Sequence, residues 1–173
     1  MKTQGHRLFF ALQPGAETLK RITLVQREAA GVGGRATPAG RIHATLLFLG
    51  QQSRETLIRL REIAPNLDFP VCSLALDRVG YFPRARVAWL GPSSVPPELE
   101  TFQARLSHAV DSAGIRFDQR RWRLHLTLYR DLRTPPGRLD FEPVEWRPEG
   151  FQLLESIQDR SGLRYHGQGH WPA

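Results

Sequence analysis

His43-Ala44-Thr45-Leu46-Leu47-Phe48-Leu49-Gly50 is one of two stretches that decide the reading of this chain, and His125-Leu126-Thr127-Leu128-Tyr129-Arg130 is the other. Each sets a His and a Thr two residues apart in a short apolar run rich in Leu and aromatics, which reads as a buried strand. Side chains alternate along a strand, so His43 and Thr45 share one face, and His125 and Thr127 share another. A polar pair on an apolar strand needs a reason, because burying unpaired polar groups is costly. One such His is ordinarily a packing residue. Two copies of His-x-Thr-Leu, each with an Arg two positions upstream at Arg41 and Arg123, are harder to explain by packing.

Outward from these strands the pattern is mixed. Arg7 to Leu12 reads as a first strand, broken by Pro14-Gly15, and Ala16 to Ala29 as a helix with Leu19, Ile22, Leu24 and Val25 at apolar positions. Gly31 to Gly40 reads as a loop; it has no Gly-Lys-Ser/Thr and so is no phosphate loop. The first His strand is predicted from Ile42 to Leu49, ending at Gly50. Ser53 then caps a helix that stops at Pro65. Phe69 to Val79 is predicted as a strand, Gly80 to Arg84 as a turn, and Val87 to Leu90 as a strand. Pro96-Pro97 opens a helix with Leu99, Phe102, Leu106 and Val110 on one stripe. The second His strand is predicted from Trp122 to Arg130, and two more strands near Gly150 to Gln158 and Leu163 to Gly167. This is an α+β order. The two histidines, 82 positions apart, hold equivalent places in two strand-helix units, as in an internal repeat that faces itself.

Composition bounds the chemistry. At 173 residues, 40% hydrophobic and 24% charged, the chain is sized for one domain or two small lobes sharing a core. The net charge is +7, carried by 22 Arg and only two Lys. Arg-rich base composition explains that bias as readily as an anionic partner does. Cys72 is the only cysteine, which excludes an intramolecular disulfide and a cysteine metal cluster. Leu8 to Leu12 is too short for a signal segment, and no apolar run approaches a membrane span, so a cytoplasmic protein is expected. His166 and His170 are four apart, but Gly167 and Gly169 argue against the helix that a metal pair would need. Tyr81 and Trp89 read as core.

Two facing imidazoles suit acid–base chemistry near neutral pH, and hydroxyls beside them suit the oxygens of a charged group. A phosphodiester fits two bases, two hydroxyls and nearby Arg. The paired motifs resemble the two-histidine (2H) phosphoesterase superfamily, and most closely its RNA 2′,3′-cyclic phosphodiesterase branch, once called 2′–5′ RNA ligases. Arg7 to Leu12, Gly80 to Pro83, Val87 to Gly91, Arg164-Tyr165 and His170-Trp171-Pro172 extend the resemblance over nearly the whole chain. Members often carry Pro where this chain has Leu124, and a small or aliphatic residue where it has Tyr129.

The resemblance implies a single domain over residues 1–173 with two pseudo-symmetric lobes, each an antiparallel sheet with outer helices, and a cleft between them. It implies hydrolysis of a terminal 2′,3′-cyclic phosphate on RNA to a 2′-phosphate, without metal; a monomer without cofactor is expected. It makes His125 the proton acceptor, His43 the proton donor, and Thr45 and Thr127 holders of the non-bridging oxygens; chemistry alone leaves the two His roles interchangeable. Arg130 would bind substrate, although strict alternation points it away from His125 unless the strand ends or bulges at Tyr129. Phe10 is the candidate to stack the terminal base. Two other readings stand beside this one: an RNA-end binding module without turnover, and a 2H enzyme acting on a small cyclic nucleotide.

Overall fold

The computed structural model describes residues 5–30 and 33–173. The expected loop is described from Gly33 onward; Gly31 lies outside the described residues. Among the described residues ten strands and three α-helices follow one another: β1 (His6–Leu12), α1 (Ala16–Glu28), β2 (Arg35–Ala36), β3 (Ala44–Gln52), α2 (Arg54–Ile63), β4 (Leu74–Leu76), β5 (Arg78–Phe82), β6 (Val87–Gly91), α3 (Pro97–Ser112), β7 (Leu126–Arg130), β8 (Val144–Trp146), β9 (Gly150–Asp159) and β10 (Gly162–Pro172). Among the described residues no helix is long and apolar enough to cross a membrane.

Seven strands form one antiparallel path, β10-β9-β1-β3-β7-β6-β5, with β2 added on β7; β4 and β8 pair separately. The path has two halves. β1-α1-β3 carries the first His motif and β6-α3-β7 the second, and the halves join edge to edge at a single pair, Ala44 opposite Leu126. Elsewhere the two inner strands are held by the segments that lead into the other half's histidine. The Trp122 indole N–H donates to the Thr45 carbonyl at 2.9 Å and the Asp118 amide to the Phe48 carbonyl at 2.8 Å. On the other side the Thr37 amide donates to the Leu128 carbonyl at 2.8 Å, continuing the β2–β7 ladder. Buried ladder groups are thus satisfied where the halves diverge.

All three helices bury their apolar stripes on one face of the sheet. Ile22 and Val25 of α1, Leu57 and Leu60 of α2, and Leu99, Phe102, Leu106 and Val110 of α3 join Ala44, Leu46, Leu126 and Leu128 in one core. The Ser53 hydroxyl caps α2 by accepting from the Thr56 amide at 3.1 Å, as its sequence predicts. The opposite face carries a small second cluster, Phe9, Ala11 and Leu154 with Tyr165.

Several predicted boundaries move. Phe69 to Ser73 is not strand, and Gly80 to Phe82 is strand rather than turn: it pairs with Val87 to Trp89, and the chain reverses over Pro83 to Arg86. Gly80 sits in a strand because the Trp89 ring lies on it; a Cβ there would come within 2.1 Å of that ring. β8 was not expected; it adds buried Val144 and Trp146 to the core. Phe10 was expected to stack a base. It is wholly buried on the helical side against Phe151 and Trp171, so no face is free for one. Phe10→Ala is therefore expected to lower the unfolding free energy by about 3–5 kcal/mol in urea titrations. A loss under about 1 kcal/mol would place Phe10 outside the core.

Candidate active site

Both histidines lie one residue before their strands, not inside them: β3 begins at Ala44 and β7 at Leu126. Residues directly opposite in an antiparallel pair share a face, and their neighbours share the other. With Ala44 opposite Leu126 on the core face, His43, Thr45, His125 and Thr127 all fall on the helix-free face. Burial agrees: Ile42, Ala44, Leu46 and Leu124, Leu126, Leu128 are buried, while the four polar residues between them are half-buried. The local two-fold of the pair relates one His-x-Thr to the other.

The two imidazoles are held alike. The His43 Nδ1–H donates to the Arg41 carbonyl at 2.8 Å, and the His125 Nδ1–H donates to the Arg123 carbonyl at 2.8 Å. A carbonyl only accepts, so each Nδ1 carries the proton and each neutral ring keeps its lone pair on Nε2. The upstream Arg of each motif thus acts on its His through the backbone. Each ring also meets an aromatic edge-on, His43 against Tyr165 and His125 against Phe82, both at 5.1 Å and 89°. Phe9 lies 5.0 Å from His43, and Trp89 lies 6.5 Å from His125. The Thr45 hydroxyl is 3.1 Å from His43 Nε2.

Burial and charge keep both rings neutral. Burial is the main cause holding His43 at about 4, with the charges of Arg130 and His125 pushing the same way and the Arg41 carbonyl opposing them. His125 is lowered by burial first, then by Arg130 and Arg123, against the Arg123 carbonyl. Tyr165 is raised by burial, against Arg130, Arg41 and Arg7.

Arg130 acts on both histidines because β7 bulges. Tyr129 pairs with Ala88 and Thr127 with Trp89, which leaves Leu128 as an extra residue. Leu128 and Tyr129 are consequently both buried, and Arg130 emerges exposed on the side of His125 and Thr127. β3 repeats the device: Leu47 pairs with Phe10 and Thr45 with Ala11, so Leu46 is extra and Phe48 emerges, 46% exposed. Phe48 stands in the first half where Arg130 stands in the second.

The structure thus brings together His43, Thr45, His125, Thr127 and Arg130, and leaves Phe10 out. Phe9, Phe82 and Tyr165 join from other strands and Phe48 from β3 itself, as does Trp89 from β6, which the sequence reads as core; the signal for them is strand parity, which the bulges obscure. Among the described residues no three His, Cys, Asp or Glu side chains gather as metal ligands, and His166 and His170 lie in β10.

A LigT-like phosphoesterase family model matches residues 12–89. The RNA 2′,3′-cyclic phosphodiesterase of Escherichia coli K12 is 33% identical over 98% of this chain and 97% of its own length. That of Archaeoglobus fulgidus is 30% identical over 92% of this chain and 96% of its own. The chain belongs to the LigT-like (2H) phosphoesterases. The E. coli LigT structure complexed with 3′-AMP superposes with a TM-score of 0.84 at 29% identity, covering 98% of both chains. The Leu124 and Tyr129 departures fit this fold: both are buried on the core side.

The depressed imidazoles make stability pH-dependent. An unfolded His takes up its proton near pH 6.5, whereas folded His43 resists protonation until about pH 4. Between those values the unfolded state binds more protons, so stability should fall steadily as pH drops from 6.5 towards 4 and level off below. Urea midpoints across that window check this, and His43→Asn should remove part of the slope. A His43 ring signal titrating near 6.5 would contradict it.

Proposed function

We propose that this enzyme hydrolyses terminal 2′,3′-cyclic phosphodiesters of RNA to 2′-phosphates, with His125 as proton acceptor and His43 as proton donor. The observation that carries the reading is the matched pair of Nδ1–carbonyl bonds across one two-fold, which presents two basic Nε2 atoms on one face. Both relatives named above carry the RNA 2′,3′-cyclic phosphodiesterase name, and LigT is described with 3′-AMP.

In this reading the phosphate lies between the two Nε2 atoms. His125 takes a proton from water as the oxygen attacks phosphorus, the bond from phosphorus to the 3′ oxygen breaks, and His43 gives that oxygen its proton. His43 must be charged at that moment. Burial is the main cause that keeps the ring neutral, and an anion bound against Arg130 offsets the lesser part that comes from charge, so substrate raises the donor's affinity for its proton. An imidazolium held this low is a strong acid once formed. Thr45, Thr127 and Arg130 bind the non-bridging oxygens, where charge builds. The stacking role expected of Phe10 passes to Phe48, the exposed aromatic on the face of the two histidines. Reversal would join a cyclic phosphate to a 5′-hydroxyl in a 2′–5′ link. The continuous sheet supports one two-lobed domain over residues 1–173, and the free buried Cys72 suits a reducing compartment such as the cytoplasm.

A short RNA ending in a 2′,3′-cyclic phosphate, incubated in excess EDTA, should give a 2′-phosphate. His43→Ala and His125→Ala should each cost about 10²- to 10⁴-fold in kcat while the fold survives. A 3′-phosphate would overturn the assignment of the leaving oxygen. Binding without product would leave an RNA-end binding module, and turnover of only a nucleoside cyclic phosphate would make the substrate a small nucleotide. Phe48→Ala should raise KM about 5- to 150-fold with little change in kcat, since base stacking contributes on the order of 1–3 kcal/mol.

A further inference from the structure

At each bulge the carbonyl of the extra residue accepts from a side-chain amide; for Leu128 this is a second donor beside the Thr37 amide, filling both lone pairs. The arrangement occurs twice, in the same crossed way. Gln26 of α1, which belongs to the first half, donates from Nε2 to the carbonyl of Leu128 in the second half at 2.8 Å. Gln103 of α3, from the second half, donates from Nε2 to the carbonyl of Leu46 in the first half at 3.1 Å. Gln26 also donates to the Thr37 carbonyl at 2.9 Å, tying the chain before His43 to the same bulge. Gln103 reaches Ser107 Oγ at 3.1 Å. Gln26 is the one buried polar side chain among the described residues. On the core face of a helix an apolar residue would cost less, unless the amide has work there.

Without the bulge, strict alternation would drive residue 130 into the core. We propose that Gln26 is a positioning residue for Arg130: by binding the Leu128 carbonyl it fixes the extra residue that turns the Arg130 guanidinium onto the face of the two histidines. Gln103 stands in the same relation to Phe48. The crossing means that each half of the repeat braces the substrate-side device of the other, so neither half completes its site alone.

The test substitutes the amide by a side chain of similar length without a donor, Gln26→Met, alone and with Arg130→Ala. Two readouts separate positioning from plain stability. In ring-proton titrations Arg130→Ala should raise the His125 pKa, because Arg130 is one of the charges depressing it. Gln26→Met should raise it in the same direction, and the double variant no further than Arg130→Ala alone. In kinetics Gln26→Met should raise KM roughly tenfold with a smaller effect on kcat, and that rise should vanish in the Arg130→Ala background. Only the kinetic readout rests on the phosphodiesterase reading; a wild-type protein without turnover would sink that reading and leave the titration to decide. Should Gln26→Met fail to fold, Gln26→Asn, polar but one methylene too short to reach Leu128, takes its place with the same expectations. A His125 titration unchanged by Gln26→Met, unchanged by Arg130→Ala, or shifted additively by the two would overturn the proposal.

Discussion

One backbone pair, Ala44 opposite Leu126, governs the site. An antiparallel pair carries a local two-fold axis, and the axis here runs between two copies of one motif. Each residue of the pair follows its His and precedes its Thr. That choice of register puts four polar groups on one face and two small or branched apolar groups on the other. A slip of one residue in either strand would send one motif's polar pair into the helical core. The buried Ala44, Leu46, Leu126 and Leu128 therefore specify the site as firmly as they specify the fold.

From that pair the electrostatics follow. The chain enters each strand so that the carbonyl two residues back meets Nδ1, which fixes both tautomers without a carboxylate. The rings are then flanked by aromatics and lie under the charge of Arg130. Desolvation and positive charge both disfavour the imidazolium, so the resting site is two neutral bases beside a cation. Such a site favours an anion, whose arrival lets one ring take a proton.

The bulges decide what surrounds the histidines. Each inserts one residue just after a Thr and returns the next exposed side chain to the working face, Phe48 in one half and Arg130 in the other. The halves therefore differ on that face, with an exposed aromatic on one side and a charge on the other, while sharing the pair of imidazoles. Phe10 and Phe9 show how narrow the margin is. Adjacent in sequence, one fills the core and the other touches His43.

The sequence by itself determined the duplicated motif, the α+β order, the three helices, and the common face that each His shares with its Thr, His43 with Thr45 and His125 with Thr127. A period of two and a duplicated motif are local properties, written in consecutive residues. It did not determine that Gly80 lies in a strand, since the Trp89 ring that covers it comes from the next strand. Nor did it settle Arg130 or Phe10. A bulge depends on how a strand pairs with its neighbour, and no residue of β7 announces that Leu128 is extra. Only the tertiary structure, by setting β7 against β6 and burying a glutamine from α1 against it, decided which side Arg130 faces.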